Sequence, residues 1–180
     1  MTKTRKQIKD EKIKAFESVV SEYEGALLRY VARIVHDYNM AQDVIQETFI
    51  KLFEKWKDEL VISPKLSSWL YRVAHNCAVD YLRKETRHFH LHQRHSEESE
   101  HSIPPNRGKG FKISESAERA VTILRQLSLR EQQLVVLKVY EEKSYREISE
   151  ITGLTVSNVG YILHHAMKKM AAEFKKAKAI

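Results

Sequence analysis

The sequence predicts an all-α protein made of two small helical domains joined by a flexible linker. Three observations predict this class. Apolar residues recur every three or four positions along most of the chain, as in helices with one buried face. Only 5 Gly and 3 Pro occur among 180 residues, too few for the turns of a β-sandwich or β-meander. The apolar spacing is lost after residue 87 and returns near residue 117, which separates one domain from the other.

The composition of the chain predicts its compartment and the chemical class of its partner. The chain carries 31 Lys and Arg against 24 Asp and Glu, a formal net charge of +7, which favours a polyanionic partner. The single cysteine, Cys77, cannot form an intrachain disulfide, and its place in an apolar helical stripe predicts a buried side chain. We find neither the pattern of a signal peptide nor an apolar run long enough to span a bilayer. The composition therefore predicts a cytoplasmic protein.

The first domain is predicted to contain three helices. Helix one covers residues 14–35. Helix two follows it, with Asn39 and Gln42 spaced as an N-cap and its N3 partner. Helix three begins at Ser63-Pro64, because proline is tolerated at the first helical position. Their apolar stripes comprise Phe16, Val19, Val20, Tyr23, Leu27, Val31, Ile34 and Val35; then Val44, Ile45, Phe49, Leu52, Phe53 and Trp56; then Leu66, Trp69, Leu70, Val73, Ala74, Cys77 and Tyr81.

Residues 88–115 are predicted to form the linker, since they hold a Pro-Pro pair and lack helical spacing. Five of the nine histidines crowd into it: His88, His90, His92, His95 and His101. A transition-metal site is one interpretation, but a flexible tract lacks preorganised geometry and no Cys pair or His-Glu-x-x-His helix supports it. We therefore expect no metal and no cofactor.

The second domain contains a helix-turn-helix. Three helix starts carry capping signals, at Ser128 with Glu131, Ser144 with Glu147, and Thr155 with Asn158. Gly153 lies between the last two helices, where a sharp turn needs a left-handed residue. The interpretation that this segment is only a structural hairpin with a solvated basic face stays open on pattern alone. The exposed side chains expected to reach DNA are Thr155, Ser157, Asn158 and Tyr161 in the major groove, and His164, His165, Lys168 and Lys169 along the backbone.

Two other segments show mixed polar faces. Helix two carries acidic and amide side chains opposite its apolar stripe and becomes basic further on. Helix three interleaves aromatic rings with cations, a combination that suits single-stranded bases because every base can stack and every phosphate needs a counter-charge. These helix-three candidates are Trp69, Tyr71, Arg72, His75, Asn76, Asp80, Arg83 and Lys84.

The chain resembles the bacterial extracytoplasmic-function (ECF) sigma factors. The runs from Ala41 to Phe53 and from Ser68 to Lys84 resemble their core-binding and promoter-melting segments, and the run beginning Leu127-Ser-Leu-Arg-Glu-Gln-Gln with the helix-turn-helix resembles their C-terminal domain. The resemblance covers about residues 15 to 87 and 117 to 172. It implies a sigma factor that binds core RNA polymerase (β′ and β subunits), melts the minus-10 element and reads the minus-35 element of promoter DNA, without catalysis of its own. An anti-sigma factor is a further implied partner.

The resemblance also assigns roles to individual residues. Asp43, Gln46, Glu47 and Lys51 would contact polymerase. Asn76 would lie near a flipped minus-10 base, flanked by Asp80, Arg83 and Lys84, and base flipping costs a few kcal/mol. The recognition helix departs from the commonest family pattern at Gly160, Tyr161 and Ile162, which puts Ser157, Asn158, His164 and His165 forward as readers.

The expected domains are residues 1–87 for polymerase and minus-10 binding and 116–180 for minus-35 binding. The rival function is a stand-alone helix-turn-helix regulator whose N-terminal bundle serves dimerisation or ligand sensing. An enzyme is not expected, because the five scattered glycines form no phosphate-binding loop and no nucleophile elbow or kinase signature occurs.

Overall fold

The structure is a computed structural model that describes residues 5–55, 61–93 and 115–178. Within these ranges every regular element is a helix, which confirms the predicted all-α class. The helices are α1 Arg5–Val35, α2 Tyr38–Lys55, α3 Pro64–Gln93, α4 Glu115–Arg125, α5 Leu129–Val135, α6 Tyr145–Thr152 and α7 Val156–Lys178; α5 continues into one π-helical turn, Val136–Tyr140. The chain divides into two compact units, Met1–Pro105 and Asn106–Ile180.

The first unit is a three-helix bundle in which each helix packs against the other two. Between α1 and α2 the chain reverses at His36, whose φ is 58°. Asp37 then caps α2, since its Oδ1 accepts a hydrogen bond from the Met40 N–H at 3.0 Å. The prediction that Asn39 caps helix two is wrong by two residues. Asp and Asn are about equally good caps, so the first one after the turn begins the helix.

Helix α3 begins where the sequence predicts and ends later. The helix starts at Pro64, as predicted, and the Leu66 N–H donates to Ser63 Oγ at 3.2 Å, so Ser63 caps it. The helix continues to Gln93, so the prediction that residues 88–93 belong to a flexible linker is wrong. His, Phe, Leu and Gln each cost less than about 0.7 kcal/mol relative to Ala in a helix, and no Gly or Pro interrupts the run. The predicted linker residues 94–114 lie outside the described residues.

The core of the first unit is built on the predicted stripes, with two polar-tipped additions from α3. Leu27, Val31 and Ile34 of α1 are buried, as are Val44 and Ile45 of α2. Cys77 is buried, as predicted. The additions are Tyr71 and His75, which the sequence pattern placed on the wet face. Trp56, predicted for the stripe of helix two, lies outside the described residues.

The second unit is built from capped helices. Both predicted capping boxes are present: Ser128 and Glu131 cap α5, and Ser144 and Glu147 cap α6. The buried Gln132 side chain donates to the Leu127 carbonyl at 2.8 Å, which satisfies a carbonyl just beyond the end of α4. These local bonds fix where α4 ends and α5 begins.

The helix-turn-helix is present as predicted. Gly153 has a φ of 73° and ends α6, and Thr155 Oγ1 accepts a hydrogen bond from the Asn158 N–H at 3.3 Å at the start of α7. Across the turn, Ile148 and Ile151 of α6 and Val159 and Leu163 of α7 are all buried. Helix α7 is not a short segment, since it runs for 23 residues to Lys178.

Candidate functional site

An apolar groove with a polar rim runs between α1 and α2. Phe16 packs edge-on against Phe49, with ring centroids 6.4 Å apart, and against Phe53 at 5.5 Å. Asp43 and Gln46 lie at the rim. The full lining is Phe16, Val20, Glu24, Leu28, Gln42, Asp43, Ile45, Gln46, Phe49, Ile50 and Phe53. An apolar floor with carboxylates at its edge is suited to holding a helix that carries apolar and basic side chains.

The sequence analysis missed two residues of this groove. Ile50 is 52% exposed and Phe53 is 61% exposed, although Phe53 was predicted to lie in the buried stripe. That prediction is wrong because Phe53 lies one turn after Phe49 on the side of α2 that lines the groove, where the described helices of the bundle leave most of its ring uncovered. The signal in the sequence was the apolar stripe of helix two, which is wider than the side of the helix that can face a core.

The other two predicted polymerase contacts of α2 lie towards α3. The Lys51 ammonium is 2.7 Å from the Glu47 carboxylate and donates to the Cys77 thiol at 3.2 Å. Hydrogen bonds to Glu47 and Cys77 raise the pKa of Lys51 above its usual range. Lys51 therefore stays charged and links α2 to α3, while Asp43, Gln46 and Glu47 remain exposed.

Helix α3 presents one continuous exposed face. Its members recur at helical spacing and combine a half-buried ring, an amide and charged groups. Arg83 and Asp80 lie 3.7 Å apart, with both side chains mostly exposed, so this ion pair leaves the guanidinium accessible. The face consists of Trp69, Arg72, Asn76, Asp80 and Arg83, with Lys84 exposed beside it.

Tyr71 and His75 do not belong to that face, and their prediction as DNA-binding residues is wrong. Tyr71 is 3% exposed and packs edge-on against Tyr30, with centroids 5.5 Å apart. His75 is 7% exposed, and its Nδ1 is hydrogen-bonded to the Tyr30 hydroxyl at 2.9 Å. Burial lowers the pKa of His75 to about 4, so the ring is neutral near pH 7. Both side chains lie in the core, on the side of α3 away from its exposed face.

Tyr81 joins the end of this surface to α2. Burial, followed by its hydrogen bond with Glu85 and the nearby carboxylates of Asp37 and Asp43, raises the pKa of Tyr81 to about 12. The phenol is therefore a neutral hydrogen-bonding group at physiological pH. The effect of Asp37 and Asp43 on Tyr81 shows that the start of α2 lies near α3, so the groove and the exposed face of α3 belong to the same helical bundle.

The recognition helix α7 exposes every residue that the sequence predicts for it. Tyr161 is 66% exposed and its ring centroid is 4.3 Å from that of His165, which in turn lies 5.7 Å from His164. The exposed set is Thr155, Ser157, Asn158, Tyr161, His164, His165 and Lys168. The opposite side of the helix, with Val159, Leu163 and Ala166, is buried. The arrangement leaves a polar face with a protruding ring.

Lys169 differs from its neighbour Lys168. Its ammonium lies 2.6 Å from the Glu131 carboxylate, and the Glu131 side chain is only 10% exposed. Burial raises the pKa of Glu131, but hydrogen bonds from Lys169 and Ser128 outweigh it and leave the pKa lowered. Lys169 therefore ties α7 to the start of α5, and the predicted contact of Lys169 with the DNA backbone would have to share this cation with Glu131.

No three His, Cys, Asp or Glu side chains in the described part of the chain come together as a possible metal site. None of the described helices is both long and apolar enough to cross a membrane. The structure does not describe the side chains of residues 88–101, the histidine-rich tract.

Comparison with known proteins agrees with this architecture. Residues 19–88 match the family described as Sigma-70 region 2, and residues 117–170 match the family described as Sigma-70, region 4. The ECF RNA polymerase sigma-E factor of Haemophilus influenzae is 31% identical over 160 residues, covering 81% of this chain and 80% of that protein. The ECF RNA polymerase sigma factor SigW of Bacillus subtilis is 25% identical over 180 residues, covering 94% of each.

Two solved structures share the fold. The sigma factor RpoE of Bartonella quintana, solved in complex with the anti-sigma factor NepR, has a TM-score of 0.68 at 18% identity and covers 89% of this chain and 96% of that chain. CnrH, solved with the cytosolic domain of CnrY, has a TM-score of 0.61 at 19% identity and covers 89% and 88%.

A two-unit helical chain with a region 2 bundle and a region 4 helix-turn-helix is a transcription initiation factor. The chain belongs to the extracytoplasmic-function family of RNA polymerase sigma factors. It binds core RNA polymerase and promoter DNA and directs promoter-specific initiation. The stand-alone regulator is not favoured, because its N-terminal bundle would not be expected to match region 2 over residues 19–88.

Proposed function

We propose a division of labour between the two units: residues 1–87 bind core polymerase and melt the minus-10 element, and residues 116–180 bind the minus-35 element. The observation that carries this proposal is the separation of three exposed surfaces, the α1–α2 groove, the polar face of α3 and the recognition face of α7. Each surface combines side chains of the kind its ligand needs. The protein acts by binding energy, without covalent chemistry, in the cytoplasm beside polymerase and DNA.

The groove is the proposed polymerase contact. Asp43 and Gln46 at its rim are exposed, and Ile50 and Phe53 offer apolar surface that water does not favour. A helix with basic and apolar side chains on the polymerase would cover this surface. Because buried aromatic anchors dominate such interfaces, Phe53 should contribute more binding energy than the charged rim.

The polymerase contact can be tested with labelled full-length protein and purified core polymerase. We expect Phe53→Ala to weaken core binding at least tenfold and Asp43→Lys to weaken it about fivefold, since rim charges contribute less. Glu22→Lys is the matched control, because Glu22 is exposed on α1 and does not line the groove. Unchanged core binding by Phe53→Ala, with helix content preserved, would exclude the groove as the contact.

The exposed face of α3 is the proposed minus-10 contact. Asn76 offers an amide to a base edge, while Arg72, Arg83 and Lys84 offer cations to the strand. We expect Asn76→Ala to reduce permanganate reactivity of melted thymines about tenfold while core binding is retained. Lys65→Ala serves as an exposed control on the same helix, outside the proposed contact set. Normal strand opening by Asn76→Ala would remove this residue from the proposed site.

An anti-sigma factor is a further proposed partner. The fold neighbour RpoE was solved in complex with the anti-sigma factor NepR, and the groove of this chain leaves apolar side chains uncovered. A partner that covers Ile50 and Phe53 would compete with polymerase for the same surface. Competition between the two for the full chain is the expected behaviour.

The experiment that tests the function as a whole is run-off transcription. Purified core polymerase is supplied with a pool of promoter fragments, with and without this protein, and the new transcripts are sequenced. We expect new start sites that share two upstream motifs. A folded protein that neither binds core polymerase nor yields new transcripts would contradict the proposal.

A further inference from the structure

The first two turns of α7 expose an unusual set of side chains for a DNA-reading helix. Val156 is 48% exposed and Tyr161 is 66% exposed, while Val159 and Leu163 fill the buried side. Ser157 and Asn158 are exposed between them. The N-terminal residues of a recognition helix are the ones that reach base edges. This reading surface therefore combines two apolar side chains with two polar, uncharged ones.

No Lys or Arg lies in these two turns. The first cation of α7 is Lys168, twelve residues after Val156, which is about 18 Å along the helix axis. Guanine is read most often by Arg or Lys, which donate two hydrogen bonds to O6 and N7, and these residues are absent where base edges would be contacted. Adenine is read by Asn or Gln, and the thymine methyl group is read by apolar contact.

Packing fixes which side chains can take part. A methyl group at Gly160 would lie 3.6 Å from the Tyr145 ring, so this position is covered by α6 and offers no reader. The Tyr161 ring rests against His165, at 4.3 Å between centroids, which limits its directions. Val156 is β-branched, so its side chain has few rotamers in a helix. Both apolar groups are therefore preorganised.

We propose that the first two turns of α7 read A·T base pairs in the minus-35 element, with Val156 and Tyr161 contacting thymine methyl groups and Asn158 contacting adenine, and that these two turns read no guanine. This inference rests on the proposed role of α7 in minus-35 binding and specifies its ligand. The recognised DNA would owe its specificity to methyl groups and one amide contact, with phosphate contacts made further along the helix by Lys168.

The test uses holoenzyme reconstituted from the full chain and core polymerase. Double-stranded promoter DNA with a randomised upstream segment is selected for binding, and each thymine of the selected motif is then replaced by deoxyuridine, which lacks only the methyl group. We expect one or two replacements to weaken binding about fourfold, the value of one buried methyl group. Val156→Ala and Tyr161→Ala should each reduce the effect of replacing the thymine that the substituted residue contacts.

Two further variants sharpen the outcome. Val139→Ala is the matched control, since Val139 is 51% exposed but lies outside α7, and it should keep the full deoxyuridine effect. Asn158→Ala should reduce the preference for adenine at one position at least fivefold, in line with the loss of one bidentate contact of about 1–3 kcal/mol.

The proposal is overturned if the deoxyuridine replacements have no effect. It is also overturned if the selected upstream motif contains a guanine whose 7-deaza analogue weakens binding by wild-type holoenzyme but not by holoenzyme carrying Ser157→Ala or Asn158→Ala. Either result would leave the sigma-factor function intact, because a motif would still have been selected. Selection of a minus-10 motif alone, with no upstream motif, would instead contradict the proposed minus-35 role of α7 and the inference with it.

Discussion

His75 is a buried histidine that the folded protein holds in its neutral form. Its pKa is lowered to about 4 by burial, against an ordinary value of 6.5. As the pH falls below about 6.5 the unfolded chain takes up a proton that the folded chain refuses until about pH 4. The stability that depends on neutral His75 is therefore complete above about pH 7 and is lost as the pH falls.

We expect the first unit to lose about 2 kcal/mol of its free energy of unfolding between pH 7 and pH 5 because of His75. Urea unfolding followed by tryptophan fluorescence measures this, since both tryptophans belong to the first unit. His75→Asn keeps an acceptor for the Tyr30 hydroxyl and does not titrate. A variant that loses as much stability as the wild type over this range would show that another group is responsible.

The backbone conformation at position 153 is one that favours glycine. Its φ is 73°, and a side chain added there would meet nothing within 4 Å, so the requirement is conformational and not steric. We expect Gly153→Ala to destabilise the second unit by about 1 kcal/mol and Gly153→Asn to cost less, because Asn tolerates the left-handed region. Thermal unfolding followed by circular dichroism compares the two. Equal losses would point to a cause other than the backbone.

Among the helices, α5 and α6 begin with the same capping box in different surroundings. The Glu131 carboxylate of α5 is buried and pairs with Lys169 of α7, whereas the Glu147 carboxylate of α6 accepts hydrogen bonds from its own cap, Ser144. The hydrogen bonds with Ser144 lower the pKa of Glu147. One box is local, while the other also joins two helices.

This difference predicts unequal costs for the same substitution. Glu147→Gln should cost about 1 kcal/mol, the usual value of a cap, and Glu131→Gln should cost about 2 kcal/mol, because a buried charged hydrogen bond is lost as well. Urea unfolding of both variants tests this, with Lys169→Met added to each. We expect Lys169→Met to matter in the wild type and in Glu147→Gln but to add little in Glu131→Gln; additive effects in all backgrounds would contradict the coupling.

Each of the two units of the chain has its own core. Leu70 of the first unit and Ile148 of the second are both fully buried. We expect Leu70→Ala and Ile148→Ala each to destabilise its own unit by about 2–5 kcal/mol. Tryptophan fluorescence follows the first unit alone, and circular dichroism follows both.

Ile148→Ala should therefore lower the stability seen by circular dichroism while leaving the tryptophan transition unchanged. Leu70→Ala should shift the tryptophan transition. A common shift of both signals by either variant would show that the two units unfold together. Independent unfolding is what a sigma factor with separately acting regions would be expected to show.

The site was only partly predictable from the sequence. Helical spacing identified the exposed face of α3 around Arg72, Asn76 and Arg83, but it also assigned Tyr71 and His75 to that face. Tyrosine and histidine have polar tips on apolar bodies, so their type does not say whether the tip meets water or a buried partner. Here Tyr30, 45 residues before His75 in the chain, supplies that partner.

The sequence by itself determined the helix caps and the turn of the helix-turn-helix. The caps at Ser63, Ser128 and Ser144 and the left-handed Gly153 depend on residues within a few positions of each other, and the family-specific runs need no tertiary information. Only the tertiary structure decided which apolar residues stay uncovered, as at Phe53, and which polar ones are buried, as at His75. Burial depends on the packing of α1, α2 and α3 against one another, and that packing joins residues far apart in the chain.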